Sequence, residues 1–68
     1  MKVEIIERGT EVILVSRDTA VNPGFIVPRK NERICAHGDN YFVREVNHYY
    51  YRAIPGEDDF IEILVEAE

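Results

Sequence analysis

The run His48-Tyr49-Tyr50-Tyr51-Arg52 places four rings and a guanidinium in five consecutive residues. On a strand, successive side chains take opposite faces. Tyr49 then shares a face with Tyr51, and Tyr50 shares the other with His48 and Arg52. Whichever face is buried, at least one tyrosine meets solvent. Tyrosine joins a broad apolar ring to a polar tip and is enriched where proteins dock. Tyrosine and arginine also stack on unpaired nucleobases. The plainer reading is that the rings cover one end of a small barrel, with their hydroxyls in water. An aromatic cage for a cationic ligand is the weakest option.

Cys35, His37 and Asp39 stand at i, i+2 and i+4, which on a continuous strand is one face. Thiolate, imidazole and carboxylate are all zinc ligands. A cysteine near a histidine is also the beginning of a nucleophile pair. Two features argue against both readings. Gly38 is expected to turn the chain and break the shared face. If that turn centres on Gly38-Asp39, His48 falls opposite about position 29, roughly 15 Å or more along the strand from Cys35. No metal, cofactor or catalytic residue is therefore assigned. Cys35 is expected to be a small buried apolar side chain. Glu57-Asp58-Asp59 lacks the ligand spacing of a calcium loop. Gly9, Gly24, Gly38 and Gly56 stand apart, so no glycine-rich phosphate loop is present.

The charge is uneven. The chain carries 13 acidic and 8 basic residues, a net charge of −5. Glu57, Asp58, Asp59, Glu62, Glu66 and Glu68 fall in the last twelve residues, which contain no Lys or Arg. Acids on a final edge strand would discourage pairing with other chains. They could also dock a basic partner or occupy a basic nucleic-acid site. Arg29, Lys30 and Arg33 form the one basic cluster, about a turn. Three cations release few counterions, so nucleic-acid binding through them would be weak and salt-sensitive. The sequence pI of about 4.9 weighs against that reading.

The elements that must position these residues are short strands. Lys2-Val3-Glu4-Ile5 alternates with period 2, and Glu11 to Val15 is β-branched and aliphatic. Arg8-Gly9-Thr10 joins them as a hairpin. Asn22-Pro23-Gly24 has the residues of a type II turn. Phe25-Ile26-Val27 is a strand end or edge stopped by Pro28. Asn31, which tolerates a left-handed backbone, turns the chain into a strand over 33–36. His37-Gly38-Asp39-Asn40 turns it again, into a long strand from Tyr41 to about Tyr51. Tyr41 and Val43 share a face, yet the next aliphatic residue is Val46. An extra residue near Arg44-Glu45, a β-bulge, would restore the alternation. Pro55-Gly56 lies in a longer loop. In the last strand Ile61, Ile63 and Val65 oppose Glu62 and Glu66.

Sixty-eight residues suffice for one small domain, 1–68, with a correspondingly small core. The longest apolar run, Val12 to Val15, is four residues, far short of a membrane helix. A single cysteine excludes a disulfide framework within the chain. Met1-Lys2-Val3-Glu4 has no apolar leader, and a cytoplasmic location is expected. No window carries a helical apolar stripe. The expectation is an all-β fold: a small antiparallel five- to six-stranded barrel or strongly bent sheet, without significant helix.

The central pattern is Pro28-x3-Glu32-x-Ile34-x3-Gly38-x2-Tyr41-x-Val43-x2-Val46-x-His48. It resembles short, mostly uncharacterised bacterial and phage-type proteins with SH3-like barrels, over roughly residues 25 to 65. The resemblance implies the fold and a phage or mobile-element setting, and no catalytic residues. Such patterns usually carry Gly in the turn where this chain has Asn31.

These readings favour a non-enzymatic protein-interaction module, with a protein partner or a second copy of the chain docking on Tyr49, Tyr51, Arg52, Asp58, Asp59 and Glu62. Two other functions are weighed. One is a single-stranded nucleic-acid binder that adds Arg29, Lys30 and Arg33 to the tyrosines. The other is an acidic inhibitor of a basic nucleic-acid site. No cofactor, membrane or small-molecule substrate is inferred.

Overall fold

The computed structural model describes residues 1–50 and 59–68. It contains five strands: β1 (Lys2–Glu7), β2 (Ile13–Asp18), β3 (Arg33–Ala36), β4 (Asp39–Tyr49) and β5 (Phe60–Ala67). No helix occurs among the described residues, so none there is long and apolar enough to cross a membrane. The strands form one sheet in the order β2-β1-β5-β4-β3. Three ladders are antiparallel, and β1 runs parallel to β5.

The last strand is therefore the centre of the sheet, not an edge. β1 pairs along one side of it and β4 along the other. Its alternation is as expected: Ile61, Ile63 and Val65 are buried, while Phe60, Glu62, Leu64 and Glu66 face out. Val3 and Ile5 of β1 and Tyr41 and Val43 of β4 complete the inner face with Ala36. Phe25, Val27, Ile34 and Val46 pack against it half-buried. Phe25-Ile26-Val27 supplies packing without forming a strand. Its bracketing prolines, Pro23 and Pro28, lack ladder donors, and Ile26 is 85% exposed between two inward neighbours.

Three irregularities shape the sheet. In β4, Val43 pairs with Val65 and Glu45 with Leu64, so Arg44 is the extra residue of the expected bulge. The alternation restarts there, turning Val46 and His48 inward and Glu45, Asn47 and Tyr49 outward. In β2, Ile5 pairs with Val15 and Ile6 with Ile13, leaving Leu14 as a second extra residue. At the foot of β3, Asn31 has φ 75°, its N–H donates to the Val43 carbonyl, and the Val43 N–H donates to the Glu32 carbonyl. That is a bulge whose first residue normally is glycine in the left-handed region. Asn31 fills the glycine position.

The turns follow local chemistry with two corrections. His37 and Gly38 both have positive φ and form a two-residue turn between β3 and β4, one residue earlier than Gly38-Asp39. The Asn22-Pro23-Gly24 turn exists, with the Phe25 N–H on the Asn22 carbonyl at 3.0 Å, yet Gly24 does not use a positive φ. It is not type II. The β1–β2 loop runs over 8–12, so β2 starts at Ile13, two residues after the start of the run from Glu11.

β2 and β3 are the two edges, and no ladder joins them. One side chain spans the gap. The His37 Nε2 lies 2.7 Å from the carbonyl of Leu14, the bulge residue of β2. A carbonyl only accepts, so Nε2 carries the proton. This contact brings the bent sheet close to a closed barrel.

Candidate functional site

Strand alternation after the Arg44 bulge divides the tyrosine run between two surfaces. Tyr49 faces out and is paired with Phe60 across the β4–β5 ladder. Their ring centroids are 5.8 Å apart at 29°. Tyr50, 71% exposed, takes the opposite side, and its ring stacks on His48 at 6.1 Å and 11°. The expected separation of Tyr49 from Tyr50 and His48 is thus observed. Tyr51, Arg52 and Asp58 lie outside the described residues, as does the Pro55-Gly56 turn.

The outer surface is built in rungs across β1, β5 and β4. Lys2, Phe60 and Tyr49 form the first, and Glu4, Glu62 and Asn47 the second. Ile6, Leu64 and Glu45 form the third, with Ile13 of β2 beside them and 52% exposed. Glu4 and Glu62 are register partners, a like-charge pair that repels. Lys2 approaches Glu4 at 4.0 Å, and the Asn47 amide donates to Glu62 at 3.4 Å. Asp59 precedes this strand, and its carbonyl accepts the Lys2 N–H at 3.3 Å. Tyr49 and Glu62 are therefore brought to one end of one face, with the Asp59 backbone at its margin.

The other end of that face is a cation–carboxylate network. Glu66 sits between Arg8 at 3.4 Å and Arg44 at 3.2 Å, and Arg33 bonds Glu68. The Arg33 and Arg44 guanidinium groups lie 5.4 and 5.6 Å from the Phe42 ring centroid. Two expectations change here. The acidic C-terminal run is not a bare negative face, because arginines from three other segments neutralise half of its described part. The Arg29/Lys30/Arg33 cluster is also divided. Arg33 pairs across to Phe42 on the outer face, while Arg29 and Lys30 stay at the turn below β3.

Arg29 and Lys30 line a cleft of about 420 Å3 together with Val27, Pro28, Val46 and His48. Neither cation has a carboxylate partner among the described residues. The Glu32 carboxylate accepts the backbone N–H of Arg29 and so braces the turn. His48 brings the Tyr50 ring to the rim of this cleft. Sequence reasoning put His48 opposite about position 29; in the structure its ladder partner is Ile61, and it shares the lining of this cleft with Arg29. It did not bring His48 together with Arg29 and Lys30, although alternation had already put His48 and Tyr50 on one face.

A second hollow, at the opposite end of β4, carries Glu7, Asp39 and Glu68 around Tyr41. Burial, then the charges of Glu7 and Asp39, raise the Tyr41 pKa above the ordinary tyrosine value. Cys35 is exposed, contrary to expectation. Ile34 and Ala36 point inward, so the residue between them must point out. His37 is held by the Leu14 carbonyl rather than by a thiol or carboxylate. Among the described residues no three His, Cys, Asp or Glu side chains gather to hold a metal.

Comparison with protein-family models, with curated proteins and with solved structures finds no match.

Proposed function

We propose that this protein is a non-enzymatic interaction module that docks a protein partner on the outer face of β1, β5 and β4. One observation carries the reading. The central strand of the sheet turns Phe60 and Leu64 outward, in rungs with Tyr49 and Ile6, while Phe25 and Val27 cover the opposite, inner face. An outward sheet face ordinarily alternates to polar residues. Apolar and aromatic side chains gathered there suit a docking surface. The charge beside them defines the partner. Glu4, Glu45 and Glu62 stand against Lys2 alone, so a partner presenting Lys or Arg next to apolar side chains relieves the Glu4–Glu62 repulsion.

The test is selection from a displayed peptide library, followed by binding measurements on purified variants. Peptides with basic residues flanking apolar ones are expected. Tyr49→Ala and Glu62→Lys should each weaken them at least about tenfold, as loss of a docking anchor does. Tyr50→Ala should leave them unchanged. Selected peptides that bind all three variants like the wild type would refute the assignment of this face.

A further inference from the structure

The cleft below β3 has a character opposite to that of the chain as a whole. The net charge is −5, yet no carboxylate among the described residues lines this cleft. Its walls are Val27, Pro28 and Val46, and its charged groups are Arg29 and Lys30. Every other described Lys or Arg bonds a carboxylate, except Arg17, which donates to its neighbour's carbonyl. The His48 ring forms part of the lining, and Tyr50 lies almost parallel to it at 11°. Two cations with no carboxylate partner among the described residues therefore stand beside a flat, exposed two-ring platform.

We propose that this cleft binds a short stretch of single-stranded nucleic acid. A base stacks on the Tyr50–His48 platform, and the flanking phosphates meet Arg29 and Lys30. Any base offers a π-face to a tyrosine, so the contact is tolerant of sequence. An acidic peptide would use the two cations but gain nothing from the parallel rings. The chain's overall acidity does not forbid the contact. At physiological ionic strength charges beyond about 8 Å are largely screened, so the local pair outweighs distant carboxylates. The nearest acid named at the turn, Glu32, is engaged with the Arg29 backbone. The site is separate from the outer face, so the two proposals stand or fall independently.

Labelled protein titrated with a short oligothymidylate, and followed by amide NMR, tests this. Shifts should centre on Arg29, Lys30, Val46, His48 and Tyr50. Two phosphate contacts give a salt slope of about −1.4, so affinity should fall about sevenfold between about 50 and 200 mM salt. Tyr50→Ala should cost at least about fivefold. Lys30→Glu should weaken binding and flatten the salt dependence, whereas Tyr49→Ala should do neither. All three positions are exposed, so the variants keep the wild-type spectrum elsewhere. Absence of shifts at low salt would overturn the proposal. So would equal binding of a polyglutamate peptide, or of duplex DNA, that Tyr50→Ala leaves intact, because either marks a cation site without stacking.

Discussion

The surface around Tyr49 and the cleft near Tyr50 begin from the last residue of β4 and the residue after it, and they differ in almost every property. Tyr49 stacks on Phe60 of the central strand, among Glu4, Glu45 and Glu62. Tyr50 stacks on His48, which faces Arg29 and Lys30 from a segment outside the sheet. One ring pair lies across a ladder, and the other lies along a single strand. The difference shows how a strand can serve two surfaces at once. Alternation supplies the two sides, and what packs on each side supplies its charge. The Arg44 bulge decides which tyrosine goes where, because one extra residue reverses the facing of everything after it.

Exchanging the two residues whose facing the bulge sets should have the largest effect. With Val46→Asn and Asn47→Val combined, an amide is turned inward and a valine outward. Burying an amide without partners and exposing a valine costs on the order of 3 kcal/mol or more. Urea titration should show that loss, or no cooperative transition at all. A double variant as stable as the parent would mean that the bulge does not set the facing.

A smaller effect, confined to the basic side, is expected at Asn31. Its φ of 75° holds the turn that presents Arg29 and Lys30. Asn31→Val should cost about 1–2 kcal/mol by forcing a β-branched residue into the left-handed region. Asn31→Gly should be close to neutral, since glycine adopts that region freely. Equal losses in both variants would show that the asparagine side chain, not its backbone, matters.

The smallest effect concerns Tyr41, at the other end of β4 from both surfaces. Its folded pKa is raised by burial and by Glu7 and Asp39, so the folded protein holds this proton more tightly than the unfolded chain does. That contribution is complete below the ordinary tyrosine pKa, about 10, and is lost as pH rises through the folded value. Stability should therefore decline above about pH 10, and Tyr41→Phe should flatten that decline. A Phe variant with an unchanged alkaline profile would contradict the assignment.

Much of the fold was legible in local pattern. The period break between Val43 and Val46 located the bulge, and His37-Gly38 and Asn31 located two turns, because each rests on a backbone rule that acts within a few residues. The centrality of the last strand was not legible. Its inner and outer residues alternate in the same way at a centre as at an edge, and only pairing with β1, more than fifty residues away in the chain, distinguishes them. The division of Arg33 from Arg29 and Lys30 has the same origin, since proximity in sequence says nothing of the bulge between them. Cys35 is different. The inward Ile34 and Ala36 already implied that it points out, and composition alone suggested otherwise.

The central claim is that adjacent tyrosines face surfaces of opposite charge. Relaxation of fluorinated tyrosine rings by charged nitroxides measures this without any ligand. At about 0.1 M ionic strength, where screening acts over about 10 Å, each ring samples its own surroundings. A cationic nitroxide should broaden Tyr49 more than Tyr50, and an anionic nitroxide should do the reverse. The same preference at both rings would contradict the account.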